Sequence, residues 1–214
     1  AGKKIVPVSA KNPTPAQISA ATCNLSDFIY FKLDKAAAEY LNKQEGSQGV
    51  KASAGDMAIL VAMHVTSKEV SNWTWQTFFW AADPANPAFP SDRVAASLRP
   101  SQLQGAASHY AVSTAYAMTR PNQPIVGGKN TGVMPVIGYN PYLEPGLGQL
   151  NGPAPNFPNK LSPALMWGMQ SNCMSCHALA TFPAGPYTAD QYFSLNDPIF
   201  LNKVQLDFAW SIQG

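Results

Sequence analysis

Proline is the feature that most narrows the folds open to this chain. The 214 residues include 19 prolines, and many of them lie in three stretches, 84–90, 121–145 and 153–163. Because proline fixes its own φ and has no N–H to donate, these stretches cannot form long helices or central strands. We predict loops there, wrapped over a core. The elements between the loops must therefore be short.

Short helices are predicted where a side-chain oxygen precedes a favourable first turn. Such an oxygen accepts a hydrogen bond from a backbone N–H of the first turn, and proline suits the first helical position. The pairs that fit this pattern are Thr14-Pro15, Ser162-Pro163 and Asp197-Pro198. Two further helices are predicted, at 35–42 with Asp34 as the cap and at 92–98 with Ser91 as the cap.

Alternation of side chains predicts a hairpin in the first half of the chain. Residues 57–66 place large apolar side chains on one face and small or polar ones on the other. Residues 72–81 are rich in aromatics, and the charged segment 67–71 separates the two runs, so we expect an antiparallel pair. The other strand candidates are 28–33, 133–139, 203–212 and 110–118, the last of which could equally be a helix.

These patterns predict an α+β fold in one domain spanning residues 1–214: an antiparallel β-sheet with several short helices and long proline-rich loops. Such a chain is long enough to bury a core and enclose a cofactor.

Charge and hydropathy exclude some classes of function. Charged residues make up 12% of the chain and the formal net charge is +2, without a basic block, so nucleic acid is not an expected partner. The longest apolar run is the six residues 58–63, against the ~20 that a transmembrane helix needs. The start, Ala1-Gly2-Lys3-Lys4, has no apolar signal core behind it, and we expect an exported chain in mature form.

The chemistry is concentrated in Cys173-Met174-Ser175-Cys176-His177, a C-x-x-C-H motif. This spacing is the attachment signature of c-type haem. On a helical turn the two thiols lie within reach of the two vinyl groups of one porphyrin, and the adjacent histidine points at the iron. We therefore predict one covalent haem c, with an attachment segment at 162–180 and with Trp167 packed near the ring.

Two other uses of a C-x-x-C pair are less well supported. A structural zinc site needs four ligands, and the chain has no second Cys/His pair with ligand spacing. A thioredoxin-like pair belongs in a βαβ unit, and the sequence shows none. The remaining cysteine, Cys23, is interpreted as a buried small side chain, with an intermolecular disulfide as the alternative.

The motif resembles that of c-type cytochromes, which implies attachment outside the cytoplasmic membrane and a periplasmic location. Its late position, with no methionine among the residues after His177, is unlike small class I cytochromes and excludes a downstream methionine ligand. In architecture the chain resembles the sheet cytochromes of the cytochrome c prime-beta type. The stretches 60–66, 73–79 and 207–212 also look like parts of uncharacterised bacterial cytochrome c family proteins.

The second axial position must be filled from upstream or remain open. His64 is the first candidate because its strand neighbours are small and leave room for a flat ring, and His109 is the second. An upstream methionine is a further possibility, although each methionine can equally fill a gap in the core. A core or edge histidine, hydrogen-bonded to a neighbouring strand, is the structural alternative for both imidazoles.

Arginine suits a haem propionate because its guanidinium can bond both carboxylate oxygens. The candidates are Arg93, Arg99 and Arg120, each of which could instead be a solvated surface charge. The aromatic residues of 73–80 are predicted to pack in the core, with contact to haem as the alternative.

Three functions fit these features. The favoured prediction is a periplasmic mono-haem cytochrome acting in one-electron transfer with a redox partner protein. The alternative is a haem enzyme or small-gas binder with an open distal site for peroxide, NO or hydroxylamine, in which a histidine could shuttle a proton. A subunit of a larger redox complex is the third.

Overall fold

In the computed structural model, the structure describes residues 4–5, 14–16, 23–44, 51–87, 91–136, 138, 140, 142–143, 172–185 and 191–212. Antiparallel strand pairs and short helices make up these ranges, so the predicted α+β class is confirmed. The contacts group the chain into two compact units. The prediction of a single haem-binding domain, with its attachment segment at 162–180, stays a prediction.

The elements are short throughout. The strands are β1 Lys4–Ile5, β2 Cys23–Asn24, β3 Tyr30–Lys32, β4 Met57–Ile59, β5 Ala62–Ser67, β6 Thr74–Trp80, β7 Tyr110–Ala115, β8 Thr119–Arg120, β9 Met134–Pro135, β10 Thr181–Phe182 and β11 Val204–Gln205. The α-helices are α1 Lys35–Lys43, α2 Arg93–Ser97 and α3 Cys173–Ala178. The 3-10 helices are Leu25–Asp27, Gly105–His109, Pro198–Phe200 and Trp210–Ile212.

Among the described residues, the largest sheet has three strands in the order β5-β6-β7. The other strands form antiparallel two-stranded pairs, β1 with β2, β3 with β4, β8 with β9 and β10 with β11. None of the helices in these ranges has the length and apolar character needed to cross a bilayer.

The first unit comprises Ala1–Val61, Trp80–Asn86 and Arg99–Tyr110. Its core is a small aromatic cluster in which the rings of Phe28 and Trp80 stack with centroids 4.3 Å apart. The Tyr110 hydroxyl donates to the Leu60 carbonyl oxygen at 2.6 Å and accepts from a backbone N–H at 3.1 Å. A single buried phenol thus bonds two segments of this unit.

The second unit comprises Ala62–Phe79, Pro87–Leu98 and Ala111–Gly214. Its core gathers side chains from β6, β7, α3 and the segment after β10, and the buried members are Trp75, Ala115, Met118, Met174, Ala178, Leu179, Tyr192, Phe193, Phe200 and Phe208. Because the motif helix supplies Met174 and Ala178 to this core, α3 is fixed by packing as well as by its own short hydrogen-bonded turn.

The predicted hairpin is present, but its first strand is not continuous. β5 and β6 pair antiparallel from Ala62↔Phe79 to Ser67↔Thr74. The run 57–66, however, breaks at residues 60–61, and β4 pairs with β3 in another sheet. The face of 57–66 that carries the large apolar side chains is not packed throughout, since Met63 and Val65 are 37% and 43% exposed. The alternation of side chains predicted a strand, but it did not predict which face of the strand packs against other residues.

Two of the predicted helix starts are confirmed, and a third is shifted by one residue. The Asp34 carboxylate accepts from Ala37 N at 2.7 Å, and Asp197 caps the 3-10 helix that starts at Pro198. At the third helix the cap is Asp92 rather than Ser91, because the shorter α2 begins at Arg93. Ser162-Pro163 lies outside the described residues. The run 110–118 forms a strand, β7, over its first six residues.

Candidate functional site

The motif residues lie on α3, where Cys173 and Cys176 are three residues apart and His177 follows at once. Residues three apart on a helix are neighbours on its surface, so both thiols belong to one side of α3. All three side chains are half-buried. The helix therefore presents two sulfur atoms and one imidazole at the edge of the core of the second unit.

Asn172 fixes the start of this helix and is itself fully buried. Its side-chain oxygen accepts from Met174 N at 2.8 Å and Ser175 N at 3.2 Å. Its amide nitrogen donates to the carbonyls of Ala117 and Val136 at 2.8 and 2.7 Å. One amide thus caps the helix and bonds it to the ends of two other segments, a placement that an N-cap hydroxyl could not reproduce.

Gly138 supports the first cysteine from the opposite side. Its carbonyl oxygen accepts from Cys173 N at 3.2 Å and from Cys173 Sγ at 2.8 Å. A Cβ at this position would stand 3.3 Å from Ala115 Cβ and 3.4 Å from the Thr114 carbonyl oxygen. Glycine therefore allows the backbone close enough to hold the thiol.

The His177 ring is oriented by a backbone carbonyl. Nδ1 lies 2.7 Å from the Phe208 oxygen. Because a carbonyl can only accept, Nδ1 carries a hydrogen, and in the neutral ring the lone pair is then on Nε2. A histidine that ligates a metal through one nitrogen commonly donates from the other in this way.

The carbonyl that orients His177 belongs to an unusual turn. Asp207 and Phe208 have φ values of 48° and 66°, in the left-handed region that bulky side chains rarely adopt. Phe208 is nevertheless buried, and Trp75 packs against both rings, with centroids 4.3 Å from His177 and 6.4 Å from Phe208. Trp75 is held in turn by its indole N–H, which donates to the Asn72 oxygen at 2.8 Å.

His64 lies in the second unit, on the exposed edge strand β5. It pairs with Thr77, and paired residues share a face, so it projects from the sheet face that also carries Trp75. The imidazole is exposed.

His109 lies in the first unit, at the end of a 3-10 helix. Its Nδ1 is 3.1 Å from the Ala81 carbonyl oxygen, and its ring stacks on Trp80 at 5.9 Å.

The predicted propionate ligands fall in different places. Arg99, in the first unit, bonds backbone carbonyls, at 2.7 Å to Ser108 and 3.0 Å to Tyr110. Arg93 and Arg120 are exposed in the second unit. Burial acts to raise the pKa of Asp92, but hydrogen bonds to its carboxylate and the positive charge of Arg120 lower it overall. Trp167 lies outside the described residues.

The chemistry of the donor set fits a haem c. Two thiols three residues apart match two thioether bonds, and His177 Nε2 matches one axial position. In the part of the chain that the structure describes, no three His, Cys, Asp or Glu side chains form a group that could hold a metal ion.

Sequence reasoning missed the groups that hold the motif in place. The sequence patterns did not predict that Asn172, Gly138 or Phe208 holds the motif. The asparagine directly before the motif was a readable cap signal. Nothing local to Phe208 or Gly138 predicts that their carbonyls face α3.

Comparison with protein-family models, with curated proteins and with solved structures found no match for this chain.

Proposed function

We propose that this protein is a mono-haem c-type cytochrome that transfers single electrons in the periplasm. One observation carries the proposal: a helix carries Cys173 and Cys176 about one turn apart, followed at once by His177, whose Nδ1 is already bonded to a carbonyl at 2.7 Å. That arrangement supplies two attachment points and one oriented ligand nitrogen on a single rigid element.

Each residue of the site has a defined task in this proposal. Cys173 and Cys176 would hold the haem through thioether bonds, and His177 would ligate its iron through Nε2. The haem supplies one-electron chemistry at the iron. Asn172 fixes the helix start, and Trp75 limits rotation of the imidazole by packing against it. A covalent cofactor stays with the chain through many redox cycles, which suits a carrier between partner proteins or a subunit of a redox complex.

The test is covalent haem retention after export with a c-type maturation system. We expect the wild-type chain to keep haem on a denaturing gel, and the double variant Cys173→Ala/Cys176→Ala to lose it completely. Cys23→Ala is the matched control, since it removes the remaining thiol without touching the motif. A wild-type chain that matures in this host without covalent haem would overturn the proposal.

A second candidate is a small-gas binder or haem enzyme with an open sixth position. One observation favours it, because Met118, an upstream methionine that could ligate the iron, is engaged in the core. Met118 is 3% exposed and its sulfur accepts from Phe193 N at 3.3 Å. Reduced spectra with and without CO separate the candidates. No response to CO supports the carrier. A CO adduct in the wild-type chain would favour the gas-binding alternative.

A further inference from the structure

Two turns with left-handed backbone belong to the second unit, and one of them contacts the His177 ring. One is the pair Asp207–Phe208, whose second carbonyl accepts from Nδ1. The other ends the β5–β6 connection at Trp73, with φ 60°. Bulky residues hold such conformations only when their surroundings fix them, and observed cases cluster at functional sites.

A single lysine connects these two turns. Lys68, directly after β5, forms an ion pair with the Asp207 carboxylate. The same ammonium lies over the Trp73 ring, 5.4 Å from its centroid. The two residues of the ion pair are 139 positions apart in sequence, so the contact crosses the second unit and not one local loop.

The energetics of this pair favour a positioning role over a stabilising one. The side chains of Lys68 and Asp207 are 47% and 60% exposed, and exposed pairs add little to global stability. The same contact acts on a turn whose backbone is strained, next to the carbonyl that orients His177. A small restraint there changes the direction and length of one hydrogen bond.

We infer that the Lys68–Asp207 ion pair positions the Phe208 carbonyl against His177 and so tunes the ligand strength of the imidazole. This inference rests on the proposed function for its redox consequence. A firm hydrogen bond at Nδ1 makes the imidazole more basic, which favours the oxidised iron and lowers the reduction potential. Loosening the turn weakens that bond and raises the potential.

The ion pair could instead act on the potential through its charges alone, without positioning the turn. The two explanations predict different potentials for one variant, and the test uses that variant. Neutralising both residues with Lys68→Gln/Asp207→Asn raises the potential under either account. Exchanging the charges with Lys68→Asp/Asp207→Lys restores the ion pair, so positioning predicts a return toward the wild-type potential. If only charge matters, the exchange puts a cation at position 207, beside the turn that bonds His177, and raises the potential further.

The experiment measures the reduction potential of the haem-loaded chain for these variants. The control is Lys35→Gln/Glu39→Gln, which removes the exposed 3.9 Å pair of α1 in the first unit and leaves the potential unchanged. A charge-exchanged variant with a higher potential than the neutral double variant overturns the inference. So does a neutral double variant with the wild-type potential.

A second readout keeps the test independent of haem. In the haem-free chain, NMR follows solvent exchange of the His177 Nδ1 hydrogen, which the Phe208 carbonyl protects. We expect faster exchange in the neutral double variant and wild-type exchange in the charge-exchanged one. Unchanged exchange in the neutral variant overturns the positioning role even if the chain never takes up haem. Missing haem with the expected exchange pattern overturns only the proposed function.

Discussion

The two units each contain a histidine packed on a tryptophan and hydrogen-bonded through Nδ1 to a backbone carbonyl. In the second unit His177 packs on Trp75 and bonds Phe208, and in the first unit His109 stacks on Trp80 and bonds Ala81. The interplanar angles differ, at 41° and 15°. The surroundings differ more than the pairs themselves.

His109 and Ala81 bond each other twice, since Ala81 N also donates to the His109 carbonyl at 2.7 Å. That reciprocal pair ties two backbone segments of the first unit together. His177 is bonded by a carbonyl from a left-handed turn, on a helix that also carries two thiols. An oriented imidazole alone therefore does not distinguish the two histidines; what distinguishes them is the pair of thiols, at positions 173 and 176, that precedes His177 on α3.

Replacing each histidine by alanine gives the largest expected contrast. We expect His177→Ala to abolish the native haem spectrum, because the only protein ligand fixed by the motif is lost. His109→Ala should leave that spectrum unchanged and reduce stability modestly. Visible spectra of the two purified variants decide this. Conversion of His109→Ala to a high-spin form would identify His109 as the sixth ligand and break the comparison.

Removing each tryptophan sharpens the comparison. Trp75 and Trp80 are both buried, and losing such a side chain costs about 3–5 kcal/mol of unfolding free energy. We expect losses of that size for both Trp75→Ala and Trp80→Ala in urea unfolding. Only Trp75→Ala should also alter the spectrum or the potential, since only Trp75 touches His177. An altered spectrum in Trp80→Ala would contradict the proposal that the haem site lies at His177 and not near His109.

The smallest expected effect is a pH dependence in the first unit. Hydrogen bonding from Asn24 N, assisted by the nearby His109 charge, lowers the pKa of Asp27. A carboxyl with a lowered folded-state pKa adds stability above its unfolded pKa and loses it as the pH falls through the folded value. The loss therefore lies below about pH 4. Asp27→Asn should flatten this acid limb in unfolding experiments, and an acid limb like that of the wild type would refute the assignment.

Features encoded by neighbouring residues could be predicted from the sequence. Asp34 and Asp197 cap helices because a cap depends on only three or four residues. The β5–β6 hairpin likewise follows from one charged turn between two alternating runs. Ser91 was preferred to Asp92 because the pattern locates a helix start only to within a residue or so.

Features that depend on distant contacts could not be predicted. The motif itself is local, so the prediction that Cys173, Cys176 and His177 hold a haem needs only five consecutive residues. Phe208 lies 31 residues from His177 in sequence. The position of its carbonyl depends on a left-handed φ, which a phenylalanine in the sequence does not predict. The exposure of His64 depends on β5 being an edge strand, which its own alternation does not reveal.

In the proposed cytochrome, the contact between Gly138 and Cys173 would differ before and after haem attachment. The Cys173 sulfur donates to the Gly138 oxygen only while it carries a hydrogen. A thioether sulfur has none, so haem attachment would end the Sγ contact and leave the bond from Cys173 N in place. The Gly138 carbonyl would therefore hold the Cys173 thiol in place before the thioether forms, and it would no longer bind the sulfur afterwards.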